Sequence, residues 1–349
     1  MKLNKMGEFI KQNSTMLATL LLFLLLPFII GMAFGDSPST VWANKGGESK
    51  FIQGLIIEIF ILALYALSYD LIFGITGLLS FGHSMFYAVG AYATGIMLKF
   101  FQANLLLTFF VIFLAAVLQA LLFGIVLPRV KGITFALVTL GIASVFHILI
   151  MSRELGNYTG ADVGLQGVIT PAFISPANER LRFYYFAMAV LILFFLLYKR
   201  FVSSPTGRVC SAIRENEGRA KMLGYNTYYF KLSALLLSSI TAAIAGMIHT
   251  LYQPVVSPNL ADMSFTVTAL LVTLIGGVGT LNGALIGAAV FRLLDFGLQR
   301  YIGENASFIN GAIYIAIVIF LPYGIVGTWR LKSNQFHQGW EHLMGLFRR

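Results

Sequence analysis

A chain of 349 residues that is 58% hydrophobic and 11% charged has too little polar surface to fold in water, where about 25% of residues usually carry charge. Its length would suit two soluble domains, but this composition fits lipid as the solvent, and one integral membrane domain is the economical reading. The net charge of +10 does not argue for nucleic acid, because the basic residues collect in short loops between apolar runs, and the single cysteine, Cys210, excludes an internal disulfide and a cysteine metal cluster.

Lys2, Lys5 and Lys11 precede the first apolar run, Met16 to Phe34. Ala33-Phe34-Gly35 gives that run a weak cleavage-like end, but its length approaches the roughly 20 residues of a full span and many more spans follow. It is therefore expected to be a retained helix and not a signal peptide, with Pro27 tolerated inside it. After the polar loop Gly35 to Lys50, the second span runs from Phe51 to about Phe73 and contains Glu58 and Asp70. The glycine-rich turn Gly74 to His83 leads to a third span at Ser84 to Phe100. Leu105 to Leu127 is the fourth, ended by Pro128, and Ile133 to Met151 is the fifth. A long polar loop, Ser152 to Arg182, comes next; its Gly156 to Leu165 stretch has the composition of tight turns and of a polar lid.

Phe183 to Tyr198 forms the core of the sixth span. The hydrophilic segment Phe201 to Lys231 interrupts the apolar pattern, with Gly218 the only helix breaker between Val209 and Leu223. It reads either as a helix resting on lipid headgroups or as a docking helix for another protein, and its trailing Tyr225, Tyr228, Tyr229 and Phe230 suit a membrane–water boundary. Leu232 to Leu251, Phe265 to Ile275, Leu281 to Leu298 and Ile309 to Ile325 complete ten predicted spans, and the tail from Trp329 is polar and basic. A short surface helix is one reading of that tail. Three divisions follow: a cytoplasmic segment 1–15, a transmembrane domain 16–328 carrying the segment 201–231, and a cytoplasmic tail 329–349. With both termini inside, the inner loops hold about twice the Lys and Arg of the outer ones, as the positive-inside rule expects.

The two glycine turns share a pattern, Gly74-x-x-Gly77-x-Leu79 and Gly276-x-x-Gly279-x-Leu281. An internal repeat would place them in matching halves, chance similarity in a Gly/Leu-rich sequence is the competing reading, and either turn could be a re-entrant break. Gly82, Gly90, Gly95, Gly283 and Gly287 read as close helix packing, or as backbone lining a polar pathway. Thr76, Ser80, His83 and Ser84 offer donors and acceptors suited to a zwitterionic or amide solute. His83 has no second metal ligand at a useful spacing, and hydrogen-bonded packing is its plain reading. Arg292 and Asp295 stand three apart and are expected to form a structural pair on one helix face; a coupling-proton site is the competing reading. No Gly-rich loop ending in Lys-Ser/Thr is present, so the chain is not expected to hydrolyse ATP, and no His-Glu-x-x-His occurs.

The segment Glu217-Gly218-Arg219-Ala220-Lys221-Met222-Leu223-Gly224 resembles the Glu-Ala-Ala…Gly coupling motif of ABC importer permeases, with Gly218 in place of the usual alanine. Ala212-Ile213-Arg214-Glu215-Asn216 before it is similar to the Ala-Ile-Arg-(Asp/Glu)-Asn run of the branched-chain amino acid importers. Further likenesses to that family lie in Gly74 to Tyr92, Ile133 to Ala143, Thr159 to Leu165, where Ala161 replaces a glycine, and Leu274 to Val290. Together they cover about Glu58 to Gly327, and the long outer loop favours the longer of two sister permeases. The resemblance implies an all-α polytopic permease in the bacterial inner membrane. Its partners would be a sister permease, two cytoplasmic ATPases that use ATP and Mg, and an extracytoplasmic binding protein delivering Leu, Ile or Val. This chain would hold no cofactor and perform no catalysis. Arg214, Glu215, Asn216, Glu217, Arg219, Ala220 and Gly224 would couple to the ATPases, with Ala220 and Gly224 keeping the helix thin enough for a groove. Gly77, Ser80, Gly82, His83 and Thr139 would be pathway candidates. Urea importer permeases are similar in sequence, so urea or a short-chain amide is the alternative substrate, and a proton-coupled carrier is the alternative of another class.

Overall fold

The computed structural model describes residues 14–329, apart from 43 and 45–47. Lys2, Lys5, Lys11 and Lys45, and the tail with Arg330, Lys332, Trp340, Leu343, Met344, Phe347, Arg348 and Arg349, lie outside the described residues. Each of the ten apolar runs is helical, the last with a break at 321–323. We label the helices α1 (Ser14–Ala33), α2 (Glu48–Asp70), α3 (Ser84–Lys99), α4 (Leu105–Val126), α5 (Ile133–Met151), α6 (Arg180–Ser203), α7 (Pro205–Met222), α8 (Thr227–Tyr252), α9 (Met263–Gly276), α10 (Leu281–Ile302) and α11 (Ala306–Phe320). Among the described residues, seven helices are long and apolar enough to cross a membrane, and Leu21–Ala33 and Met263–Gly276 are shorter apolar helices. The chain is a multi-pass helical membrane protein, in which helices satisfy their backbone groups without water.

Side chains set several helix starts. Asn104 Oδ1 accepts from Leu107 N at 2.8 Å and opens α4, and Asp262 Oδ1 accepts from Ser264 N at 2.8 Å and opens α9. Asn226 does the same for α8 through Tyr228 N at 3.2 Å. That cap draws Tyr228, Tyr229 and Lys231 into α8, so the helix begins before the predicted Leu232. The hydrophilic segment is consequently split among the end of α6, the whole of α7 and the start of α8.

Helices α2 and α8 form the buried centre of the bundle. A Cβ on Gly90 of α3 would fall on the backbone of Ala243 in α8, and one on Gly246 of α8 would fall on the Tyr87 carbonyl of α3. The two backbones touch, which is how small residues hold helices together when lipid removes the hydrophobic drive. At the end remote from α7, the loop after α5 and the loop after α8 join in a short antiparallel pair, with Leu165 opposite Val256 and Gln166 opposite Val255. Thr159 Oγ1 donates to Ile150 O at 2.7 Å and pins that loop to α5.

Candidate functional site

α7 opens with Ser204 as its cap, Oγ accepting from Gly207 N at 3.2 Å, and Pro205 in the first turn, where its missing N–H costs nothing. The expected break at Gly218 falls instead at Asn216, whose backbone leaves the helix at φ −160° and ψ 101°. Asn216 Oδ1 accepts from Arg219 N at 3.0 Å, so the side chain restarts the helix as a cap. A capping side chain decides where the turn breaks, while glycine merely permits one. The restarted helix ends at Gly224, at φ +87°. Gly224 N donates to Lys221 O at 3.0 Å and Tyr225 N to Ala220 O at 3.2 Å, a left-handed C-terminal cap.

Gly207, Cys210, Ile213 and Ala220 face the bundle. Ala220 is buried against this chain itself, which corrects the expectation that it thins the helix for a partner's groove. Glu215 and Arg219 point outward, and Met222 and Leu223 at the tip are 89% and 76% exposed. Cys210 donates weakly to Phe230 O at 3.5 Å, and burial pushes its thiol up to about 11, so it is not a reactive thiolate.

Glu217 fastens the restarted helix to α8. Its Oε2 accepts from Lys231 Nζ at 2.7 Å, its Oε1 accepts from Thr227 Oγ1 at 2.9 Å, and Lys221 Nζ stands 3.1 Å away. Burial pushes this carboxyl up, but the Lys231 bond and charge, with Thr227 and Lys221, outweigh that and hold it at about 2. Thr227 and Lys231 lie within the segment 201–231, but no spacing in the sequence singles them out as the partners of Glu217.

Arg214 is exposed overall but reaches back to the bundle with its guanidinium. Its Nη1 donates to Gly74 O, and its stem lies against Gly77, where a Cβ would stand 3.0 Å from Arg214 Cγ. Gly74 belongs to a π turn, Leu71–Ile75, that prolongs α2. The same glycine abuts the second glycine turn: Gly279 N donates to Asp70 Oδ1 at 2.7 Å, and a Cβ on Gly74 would approach Gly279 N to 2.5 Å. The two turns with a shared pattern are thus in contact, beneath α7.

Beyond Gly77 the backbone is unwound until α3 begins at Ser84, and most of it is buried. Irregular backbone inside a membrane bundle persists only where protein surrounds it or a cavity adjoins it. Gly82 sits against the Thr139 carbonyl of α5, and Thr139 Oγ1 donates to Ala136 O of its own helix at 2.9 Å. His83 is fully buried, with Nε2 2.8 Å from Ser68 Oγ and its ring stacked on Tyr65 at 5.4 Å. Ser80 Oγ and His83 Nδ1 have no hydrogen-bond partner among the described residues. Ser84 fixes the start of α3, its N donating to Thr266 Oγ1 at 2.9 Å. The five pathway candidates therefore divide: Gly77 lies with Arg214, Gly82 touches Thr139, and Ser80 and His83 keep unused polar atoms in the interior. No group of three His, Cys, Asp or Glu suited to a metal exists among the described residues.

Towards the remote end, Arg292 binds two carboxylates. Its Nη1 donates to Asp295 Oδ2 at 2.8 Å and its Nε to Glu58 Oε2 at 2.8 Å. Asp295 Oδ1 also accepts from Gln299 at 2.9 Å and Asn310 at 3.1 Å, and Glu58 Oε1 accepts from Gln253 at 3.2 Å. The network joins α2, α10, α11 and the end of α8. Glu58 also lines a cleft of about 480 Å³ with Arg180, Tyr252 and Gln253.

The described residues thus form a multi-pass helical bundle with an unwound, largely buried stretch, a charged cleft at one end and a folded polar segment at the other. Residues 51–321 match the family model described as the branched-chain amino acid transport system permease component. The chain belongs to that family. It is 24% identical over 357 residues to the high-affinity branched-chain amino acid transport system permease protein LivM of Salmonella typhimurium (strain LT2), covering 94% of this chain and 79% of that protein. Identity to LivM of Escherichia coli (strain K12) is 24% over 348 residues, 93% of this chain and 77% of that one. LivH of Salmonella typhimurium is 24% identical over 280 residues, 76% of this chain and 91% of that one. No solved structure matches.

Proposed function

We propose that this chain is the transmembrane permease subunit of an ATP-driven ABC importer for branched-chain amino acids. The observation that carries the reading is the family match across residues 51–321. Alignment with LivM covers 94% of the chain and alignment with LivH 76%, which favours the longer of two sister permeases. The ten apolar helices are read as ten crossings of the bacterial inner membrane, with both termini and the segment 201–231 in the cytoplasm. The sixteen residues of α3 and fourteen of α9 are short for a span; unwound backbone beside them completes the crossing.

In this reading a sister permease completes the pathway, a binding protein delivers the amino acid from outside, and two ATPases bind beneath α7. Those ATPases use ATP and Mg; this chain performs no catalysis and holds no cofactor. Exposed Met222 and Leu223, flanked by Glu215 and Arg219, supply an apolar tip within a charged rim, the composition of a protein interface. Asn216, Glu217, Ala220 and Gly224 give the segment its shape and fasten it to α8, and Arg214 carries its motion inward. Gly77, Ser80, Gly82, His83 and Thr139 are the pathway candidates, of which Ser80 and His83 are favoured by their unused polar atoms. The pairing of Arg292 with Glu58 and Asp295 supports a structural role for that cluster over a coupling-proton site.

The test is uptake by the complex reconstituted in vesicles with its ATPases. Labelled leucine should accumulate with ATP inside the ATPase compartment and not with a proton gradient alone. Uptake of labelled urea without leucine would reject the substrate, and gradient-driven uptake by this chain alone would reject the class.

A further inference from the structure

Asp70 joins the two glycine turns with only one of its carboxylate oxygens. It is the last residue of α2 and is fully buried. Its Oδ1 accepts from Gly279 N at 2.7 Å, while its Oδ2 is buried with no hydrogen-bond partner among the described residues. An unmatched carboxylate oxygen in a bundle interior is costly, and such an atom in a well-packed site calls for a reason.

The surroundings supply one. The Gly74 backbone is wedged against the Asp70 carboxylate, and Arg214 Nη1 donates to the carbonyl of that same Gly74. A Cβ on Gly279 would stand 2.8 Å from Arg214 Nη1. Four groups from α2, its trailing π turn, the α9–α10 turn and α7 therefore meet at one point. The guanidinium sits on a neutral carbonyl beside a carboxylate with a free oxygen. A bond between two charged groups is stronger than one to a carbonyl, so a small slide of α7 would exchange one seat for a better one. Two discrete arrangements of one contact are what a packed bundle needs to switch instead of deforming gradually.

We propose that Asp70 is a positioning residue for transport: it clamps the two glycine turns together through Gly279 and offers its second oxygen as the alternate seat for Arg214 when α7 moves. The proposal rests on the ATP-driven permease reading. The amphipathic segment would then pull on the unwound stretch behind Gly77 in one of two registers, set by which acceptor holds the guanidinium.

The experiment uses the whole complex in vesicles, with leucine uptake and ATP hydrolysis read from the same sample and ATPase content measured beside them. Asp70→Asn keeps an amide oxygen for Gly279 N but removes the anion. It should leave ATPase content unchanged and lower leucine moved per ATP by about tenfold, the effect of losing a hydrogen bond between charged groups. Arg214→Ala should do the same, and Asp70→Asn combined with Arg214→Ala should be no worse than either alone, as expected of residues acting through one contact. Undiminished coupling in Asp70→Asn would overturn the proposal. So would a fall in uptake that merely tracks a fall in ATPase content, and so would additive losses in the double variant. Failure of the wild-type complex to take up leucine would instead sink the transporter reading, and this inference with it.

Discussion

Glu217 shows how one side chain can hold a surface segment in place. Burial alone would raise its carboxyl, but Lys231, Thr227 and Lys221 hold it at about 2. That lies below the ordinary carboxylate value of about 4.3, so the anchor contributes its full stability above that value. The contribution is lost as pH falls through about 2. Amide exchange over residues 217–225, corrected for its intrinsic pH dependence, should therefore accelerate between about pH 4.5 and pH 2.5. In Glu217→Gln the same measurement should show no such step, since the amide does not titrate; equal steps in both proteins would remove Glu217 from the anchor. Gly224 sets the other limit of the segment. No atom would lie within 4 Å of a Cβ there, so only its φ of +87° opposes substitution. Gly224→Ala should cost about 1–2 kcal/mol of local stability and Gly224→Asn less, because asparagine tolerates the left-handed region. Susceptibility of the 217–225 stretch to limited proteolysis would rank the three proteins; indifference to the substitution would mean that the cap is not what ends the helix.

At the scale of elements, the sharpest demand falls on the crossing of α3 and α8. Backbone lies on backbone at Gly90 and Gly246, so no rotamer can make room for a side chain. Gly90→Val should abolish folded protein in detergent, judged by monodisperse elution, while Gly311→Ala, with open space around it, should elute as wild type. Cores tolerate added volume only where neighbours can shift. Elements like these were largely legible in the chain itself, because 20-residue apolar runs in lipid have one solution. The break in α7 was not. Gly218 is the obvious weak point by propensity, yet Asn216 takes the break because its side chain satisfies the Arg219 amide, a contest between local effects of similar size. The start of α8 was missed for the same reason, since the Asn226 cap recruits polar residues that hydropathy assigns to a loop.

The contacts that make the molecule one body were beyond reach of the sequence. Arg292 and Asp295 are three apart and announce themselves, but Glu58 lies 234 residues away and Asp70 stands 209 from Gly279. No spacing rule links such positions. The Glu58–Arg292–Asp295 cluster also offers a test between two classes of transporter, and stability comes first. Arg292→Met would leave two carboxylates facing each other without their cation. The loss should be about 2–3 kcal/mol, somewhat under the 3–5 of a fully buried pair because these groups retain some water. Adding Glu58→Gln and Asp295→Asn removes the stranded charges and should recover most of the loss, since a network replaced whole costs far less than one broken in the middle. Thermal denaturation of the purified chain would follow both steps. The triple variant then separates the mechanisms: a carrier that moves protons through Asp295 would be dead however well it folds, whereas a permease driven from α7 should still take up leucine once its ATPases are bound. A stable triple variant without ATP-driven uptake would mean that these carboxylates do more than hold α2 to α10.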